Sequence, residues 1–299
     1  MSEILTGPMR PAGPDKESSP PQAGQFAAPA EHYDRFMGRY APTLAAAFAD
    51  AAEVAAGQRV LDVGCGPGGL TRELVARVGA GNVAAIDPAP QFAAACRERN
   101  PGADVREGAA ERLPWDDDRF DAALSSLVIG FMHDPDRGVR EMARVTRPGG
   151  TVAVCMWDLV GGGMTMLRIF WDAVREVDAT VAGERRMAGT AEGDIARRLR
   201  RAGLVDVVDG ALSAHAAYED FDDFWEPFTL AVGPAGVFLR SLSPDQRARI
   251  RGACRAALPA GPFTLDARAW YARGRAGRNG EQGITSARAP APQSRRGQK

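Results

Sequence analysis

The feature that most constrains this chain is a glycine-rich turn between a strand-like and a helix-like pattern. Residues 60–63 are apolar except for one acid, and four of the next six residues are glycine. Leu70, Leu74 and Val78 then recur at helical spacing. Glycine adopts positive φ easily and lets a ligand come close to the backbone. The pattern therefore predicts a ligand-binding loop between a strand and a helix.

The acid inside this pattern, Asp62, decides between two kinds of ligand. Gly64, Gly66 and Gly69 fit G-x-G-x-x-G, the pattern that places a pyrophosphate at a helix N-terminus. A carboxylate two residues before that turn would repel a diphosphate. It would attract a ligand with an ammonium and a sulfonium, such as S-adenosylmethionine (SAM). A dehydrogenase stays the alternative, because Asp87 also suits the ribose of a dinucleotide.

Composition narrows the class of partner. The 299 residues suffice for one large α/β domain with an added lobe. The 37 Lys and Arg nearly balance the 38 Asp and Glu, so no overall field favours nucleic acid or an anionic membrane. We expect a small-molecule substrate as the partner. The four cysteines form no C-x-x-C pair, which predicts reduced thiols, a cytoplasmic protein, and neither a metal site nor a disulfide framework.

Strand patterns alternate with helical segments after the first fifty residues. Strands are predicted at 59–63, 82–87, 103–107, 120–125 and 151–157. Because helical segments separate them, right-handed crossovers predict a doubly wound parallel sheet. A further strand is predicted at 204–208. The last one, at 263–271, has no helix after it and is expected at an edge as an antiparallel addition.

Both ends of the chain lack apolar periodicity. Residues 1–30 are rich in Pro, Ala, Gly and Ser, and residues 274–299 are rich in Gly, Ala, Pro, Gln and Arg. We therefore expect a disordered leader and a disordered basic tail. A single domain is predicted at 31–273, in which 158–262 includes a helical substrate lobe.

Motifs along the chain resemble the class I SAM-dependent methyltransferases, specifically the small-molecule, methyltransferase type 11/25-like group. They are V-L-D-V-G-C-G-P-G-G-L-T from Val60, the acid Asp87, L-P-W-D-D-D-R-F-D-A from Leu113 and E-M-A-R-V-T-R-P-G-G from Glu141. The resemblance implies a Rossmann-like, seven-stranded sheet in the order 3-2-1-4-5-7-6 with strand 7 antiparallel. It also implies SAM as the cofactor and methyl transfer to an unidentified small-molecule acceptor.

The same resemblance assigns roles to particular residues. It implies that Asp62 and the loop backbone bind the methionine part of SAM, that Asp87 binds the ribose, and that residues 109–111 bind the adenine. Helix capping by Asp87 and a plain loop at 109–111 stay open as alternatives. Relatives often carry Asp where this chain has Ala109. The expected cofactor contacts are Tyr33, Arg39, Asp62, Gly64, Cys65, Gly66, Gly68, Asp87, Pro88, Ala109, Ala110, Glu111, Ser126 and Leu127.

Charge balance suggests a partner for the SAM carboxylate. The glycine loop carries no cation, and Arg39 follows Gly38, which breaks a helical pattern. Arg39 is therefore the preferred partner, with simple packing of an amphipathic helix as the alternative.

The catalytic residues are left unassigned by the sequence, because methyl transfer relies mainly on alignment of the reactants. Candidate bases are His215, Asp222, Glu226 and Tyr40. The aromatic residues of 221–228, with Trp171, are expected either in the core or over a substrate cavity. A SAM-binding protein without catalysis is the remaining alternative.

Overall fold

A computed structural model describes residues 28–184 and 187–277. The described residues form one seven-stranded sheet in the order β3-β2-β1-β4-β5-β7-β6. The strands are β1 Val60–Val63, β2 Val83–Asp87, β3 Asp104–Glu107, β4 Phe120–Ser126, β5 Thr146–Trp157, β6 Val205–Tyr218 and β7 Phe263–Arg275. The first five strands pair in parallel, and β7 pairs antiparallel with both β5 and β6. The expected strand order and the antiparallel strand 7 are confirmed. The expected edge position of the last strand is wrong, because β7 pairs with β5 on one side and with β6 on the other, so β6 is the edge strand.

Ten α-helices accompany the strands within the described ranges. They are α1 Ala30–Phe36, α2 Ala41–Ala51, α3 Gly69–Val78, α4 Pro90–Arg99, α5 Pro135–Val145, α6 Thr165–Val177, α7 Asp194–Arg201, α8 Phe221–Thr229, α9 Gly233–Ser241 and α10 Pro244–Ala256. No helix in these ranges is long and apolar enough to cross a membrane.

The sheet separates two large apolar cores, and a small third cluster lies around Cys96 and Ala85. Helices α2, α3, α6, α8, α9 and α10 contribute to one, and α5 and α7 contribute to the other. Alternation along single strands explains the division, since successive side chains of a strand point to opposite faces. Val60 belongs to the first core, whereas Leu61 and Val63 belong to the second. All four residues of β1 are buried, as a central parallel strand requires.

The C-terminal hairpin is longer than the sequence indicated. Strand β6 was expected to end at Val208 but runs to Tyr218, because its residues pair with β7 along that whole length. Strand β7 was expected to end at Tyr271, yet it continues to Arg275, which lies opposite Thr151. The tail boundary at 274 is therefore misplaced, and β6 crosses the region expected to be a helical lobe. The rest of the leader and the tail falls outside the described residues.

Candidate functional site

The glycine loop joins β1 to α3 at the carboxyl edge of the parallel strands. The N–H groups of Gly64 and Cys65 donate to the carbonyl of Ile86 on β2, at 2.8 and 3.0 Å. Gly66 has φ +53°, and a Cβ there would meet no protein atom within 4 Å. Its backbone therefore presents an open face. At Gly68, φ is +98° and a Cβ would come within 2.4 Å of Asn100 Nδ2, so only glycine fits.

Asp62 is a buried carboxyl with one unused oxygen. Its side chain is fully buried, and its Oδ2 accepts a hydrogen bond from the Thr71 hydroxyl at 2.7 Å. Among the described residues, its Oδ1 has no hydrogen-bond partner. Burial raises the pKa of Asp62 to about 7, and nearby Asp87 adds to the rise, while the bond from Thr71 opposes it. A cationic group in the adjoining cavity would supply what Asp62 lacks.

Asp87 closes the loop from the other side. Its Oδ2 accepts from the N–H of Gly66 at 2.8 Å, and its Oδ1 accepts from the N–H of Ala89 at 2.9 Å. Burial raises the pKa of Asp87, against the effect of these two donors. The bond to Ala89 shows that Asp87 orders the turn before α4. Its carboxyl also lines the cavity, so the two roles expected of it are compatible.

A cavity of about 1330 Å³ extends from this loop. Every predicted cofactor contact except Arg39 contributes to its lining. The residues that the structure brings together there are Tyr33, Asp62, Gly64, Cys65, Gly66, Gly68, Asp87, Pro88, Ala109, Ala110, Glu111, Ser126 and Leu127. Residues more than ninety positions apart thus meet at one edge of the sheet, where ligands bind in doubly wound folds.

Arg39 lies elsewhere, and its expected place beside the cofactor is a correction. Its Nη2 contacts Asp223 Oδ1 at 2.9 Å, and its guanidinium carbon lies 4.3 Å from the centre of the Tyr218 ring. The Arg39 guanidinium is therefore already paired with Asp223 on α8, in the place that a ligand carboxylate would have to take. The cations that do line the cavity are Arg72 and Arg99. Arg99 pairs with Asp34 at 2.7 Å.

Arg72 is the better placed cation. It projects from the first part of α3, directly after the glycine loop, and its side chain contributes to the cavity lining. Within the part of the chain that the structure describes, no hydrogen bond or ion pair engages the Arg72 side chain. A charged guanidinium at the cavity wall is thus free to meet an anionic group of a ligand.

The four candidate bases lie outside the cavity lining. The hydroxyl of Tyr40 is 3.0 Å from that of Tyr218, and His215 is exposed on β6. Asp222 and Glu226 pair with arginines on α10 and α1. The structure therefore does not bring any of these four candidates to the cavity. All four were chosen from local sequence, which does not show which helix face meets the cavity.

Apolar and aromatic side chains form the wall beyond the loop. Phe36, Met37, Leu44, Phe92, Phe131, Met132, Met156, Trp157, Leu159, Leu167 and Val232 line it. The aromatic residues of 221–228 pack in the core instead, where Phe228 stacks on Phe170 with ring centres 4.5 Å apart. Further polar residues line the cavity, among them His133, which is exposed, and Glu184, which is 8% exposed. Glu184 stands in no recognisable motif, and no signal in the sequence marked it.

Comparisons with known proteins agree with this topology. Residues 61–154, which run from β1 into β5, match the model of a family described as a methyltransferase domain. Over these residues the chain carries a methyltransferase domain. The matched segment contains the glycine loop, Asp87 and the first part of β5. SAM is the cofactor that this family match implies.

Curated relatives resemble only part of this chain. It is 39% identical over 116 residues to 2-methyl-6-phytyl-1,4-hydroquinone methyltransferase 2 of Oryza sativa, a match covering 38% of this chain and 33% of the rice protein. It is 39% identical over 115 residues to the demethylmenaquinone methyltransferase of Mycolicibacterium gilvum, covering 38% and 49%. The chain thus matches less than half the length of these relatives.

Solved structures extend the likeness of fold over most of the chain. The protein bound to the Haloferax volcanii Trm112 methyltransferase activator superposes with a TM-score of 0.50 at 20% identity, over 83% of this chain and 93% of that one. The YcgJ protein of Bacillus subtilis gives 0.50 at 16% identity, over 76% and 95%. At such identities the likeness establishes the fold alone.

Proposed function

We propose that this methyltransferase transfers a methyl group from SAM to a small-molecule acceptor bound in the same cavity. The observation that carries the proposal is the unpartnered Oδ1 of Asp62 beside the open face of Gly66. A buried carboxyl oxygen and exposed loop backbone fit a ligand that carries an ammonium and approaches the glycine turn closely. The single cavity then continues to an apolar wall with room for a second molecule.

The residues divide the cofactor between them. Asp62 and the backbone of 64–68 take the methionine part, and Asp87 takes the ribose hydroxyls. The loop 109–111 takes the adenine; because Ala109 replaces the acid common in relatives, the backbone of Ala110 supplies polar contact there. Arg72 takes the methionine carboxylate in place of Arg39.

The cofactor itself needs no proton transfer from the protein. SAM supplies a methyl group on positively charged sulfur, whose leaving group departs neutral. The loop and the apolar wall exclude water and hold the acceptor in line with that methyl group, which supplies much of the rate.

Titration with S-adenosylhomocysteine and assay with methyl-labelled SAM test the proposal. Gly66→Val should abolish binding, because a β-branched side chain resists φ +53° and fills the approach to the loop. Gly57→Val is the matched control, since Gly57 has φ +85° and equally open surroundings but lies outside the cavity lining. Normal binding by Gly66→Val would refute the cofactor site. Tight binding without turnover of any acceptor in a broad panel would refute the transfer.

A further inference from the structure

Glu184 is a buried acid that the cofactor site does not use. It lies between α6 and α7, is 8% exposed, and lines the large cavity together with Leu167 of α6 and with Gly233 at the start of α9. The other buried acids of the lining are Asp62 in β1 and Asp87 at the end of β2, and both are assigned to the cofactor. Glu184 is therefore the buried carboxyl of the described lining that remains for an acceptor.

The carboxylate of Glu184 faces two donors among the described residues, the N–H of Ala235 and Trp171 Nε1, and both favour its charged form. Trp171 Nε1 makes no hydrogen bond of normal geometry. Ala235 lies in the first turn of α9, so the carboxylate also helps to satisfy the start of that helix. Two such donors leave lone pairs on the carboxylate oxygens, and these can accept a ligand's proton.

The described charged side chains that share a smaller cavity with Glu184 form no ion pair with it. They are Arg168, Arg175 and Asp158. Both arginines lie near Asp172 instead: Arg168 is 4.0 Å from it, and Arg175 is hydrogen-bonded to it. Burial accordingly raises the pKa of Glu184 to about 7, the range in which a carboxylate serves as a base at neutral pH.

Beyond its polar residues the wall of the large cavity is apolar and rich in aromatic rings. Besides Tyr33, which is among the predicted cofactor contacts, four aromatic residues line it: Phe36, Phe92, Phe131 and Trp157. A ligand that fits such a wall and also meets one buried carboxylate has an apolar, aromatic body and one proton-bearing polar atom.

On the basis of the proposed function, we propose that Glu184 is the general base of the reaction and that the acceptor is an aromatic hydroxyl compound. Glu184 accepts the hydroxyl proton as the O–H bond breaks. The oxygen's electron pair forms the bond to the methyl carbon, and the pair of the breaking carbon–sulfur bond stays on sulfur. Glu184 then returns the proton to water.

Binding of two probes in the presence of saturating S-adenosylhomocysteine tests the assignment. The probes are 2-naphthol and its methyl ether, 2-methoxynaphthalene, which has the same body but no proton to give. The wild type should bind the naphthol about tenfold more tightly or better, as expected for a hydrogen bond to a charged group. Glu184→Gln should lose this preference, and Glu184→Asp should keep part of it. Glu192→Gln, an exposed glutamate outside the lining, is the control and should behave as the wild type.

Turnover of 2-naphthol with methyl-labelled SAM gives an independent readout. Glu184→Gln should lower kcat by roughly a hundredfold or more, the usual contribution of a general base, with S-adenosylhomocysteine affinity and melting temperature not reduced. A retained naphthol preference in Glu184→Gln, or no preference in the wild type, would overturn the inference while the cofactor still binds. Failure of the wild type to bind S-adenosylhomocysteine would instead overturn the proposed function itself.

Discussion

Binding of S-adenosylhomocysteine should depend on pH through Asp62. Burial raises the pKa of this acid to about 7, so in the ligand-free protein it is largely protonated at pH 6. The ligand's ammonium requires the carboxylate, and binding must therefore release the proton. Affinity should rise by about tenfold for each pH unit between about 5 and 7, or ~1.4 kcal/mol per unit, and then level off. Above about 8 the ligand's own amine begins to lose its proton.

Calorimetry at pH 6 in two buffers of different ionisation enthalpy measures the proton released directly. The expected value is close to one proton per S-adenosylhomocysteine bound. The control ligand is 5′-methylthioadenosine, which keeps the ribose and adenine but lacks the amino acid. Any titration of Asp87 affects both ligands, so the difference between them isolates Asp62. An affinity for S-adenosylhomocysteine that stays flat from pH 5 to 7 would refute the reasoning.

The raised pKa of Asp62 also predicts how the free energy of unfolding depends on pH. Ligand affinity should rise with pH, whereas this contribution to stability should fall. An acid whose folded-state pKa lies above its unfolded value contributes stability at low pH, and that contribution is lost as pH rises through the folded pKa. For Asp62 the window runs from about 4 to about 7. Asp62→Asn removes the cost of the buried charge and should raise the free energy of unfolding at pH 8 by about 1 to 4 kcal/mol. The same substitution should lower the affinity for S-adenosylhomocysteine. Equal pH dependence of melting in the variant and the wild type would contradict this.

Two further predictions concern the cations and the C-terminus. Arg72→Ala should lower the affinity for S-adenosylhomocysteine but not that for 5′-methylthioadenosine. Arg39→Ala should lower the melting temperature without changing the ratio of the two affinities. The reverse pattern would restore Arg39 to the cofactor site. Truncation after Arg273 should lower the melting temperature, because Arg275 pairs with Glu53 and closes the β5–β7 ladder, while truncation after residue 277 should not. Equal melting of both truncated chains would show that the end of β7 is dispensable.

Local patterns in the sequence determined the central part of this fold. The run 60–63 is buried throughout because it is a central parallel strand. The four glycines in the next six residues indicated a ligand-binding turn. Asp62 was recognisable because it lies inside a strand pattern just before the glycine turn, and Asp87 because it ends the next strand pattern. Neighbouring parallel strands end at one edge of the sheet, so residues predicted separately meet there. The order of the strands in the sheet came from the resemblance to a family.

Only the tertiary structure decided what the added helices do at the site. Arg39 was chosen for its charge, but its partner Asp223 lies 184 residues away on α8. Glu184 acquires its raised pKa from burial beneath elements distant in sequence, so its own neighbours in the chain gave no sign of it. Strand β6 extends to Tyr218 because β7 pairs with it. Periodicity and turn chemistry act between near neighbours, whereas burial, ion pairing and strand length depend on which distant segments pack together.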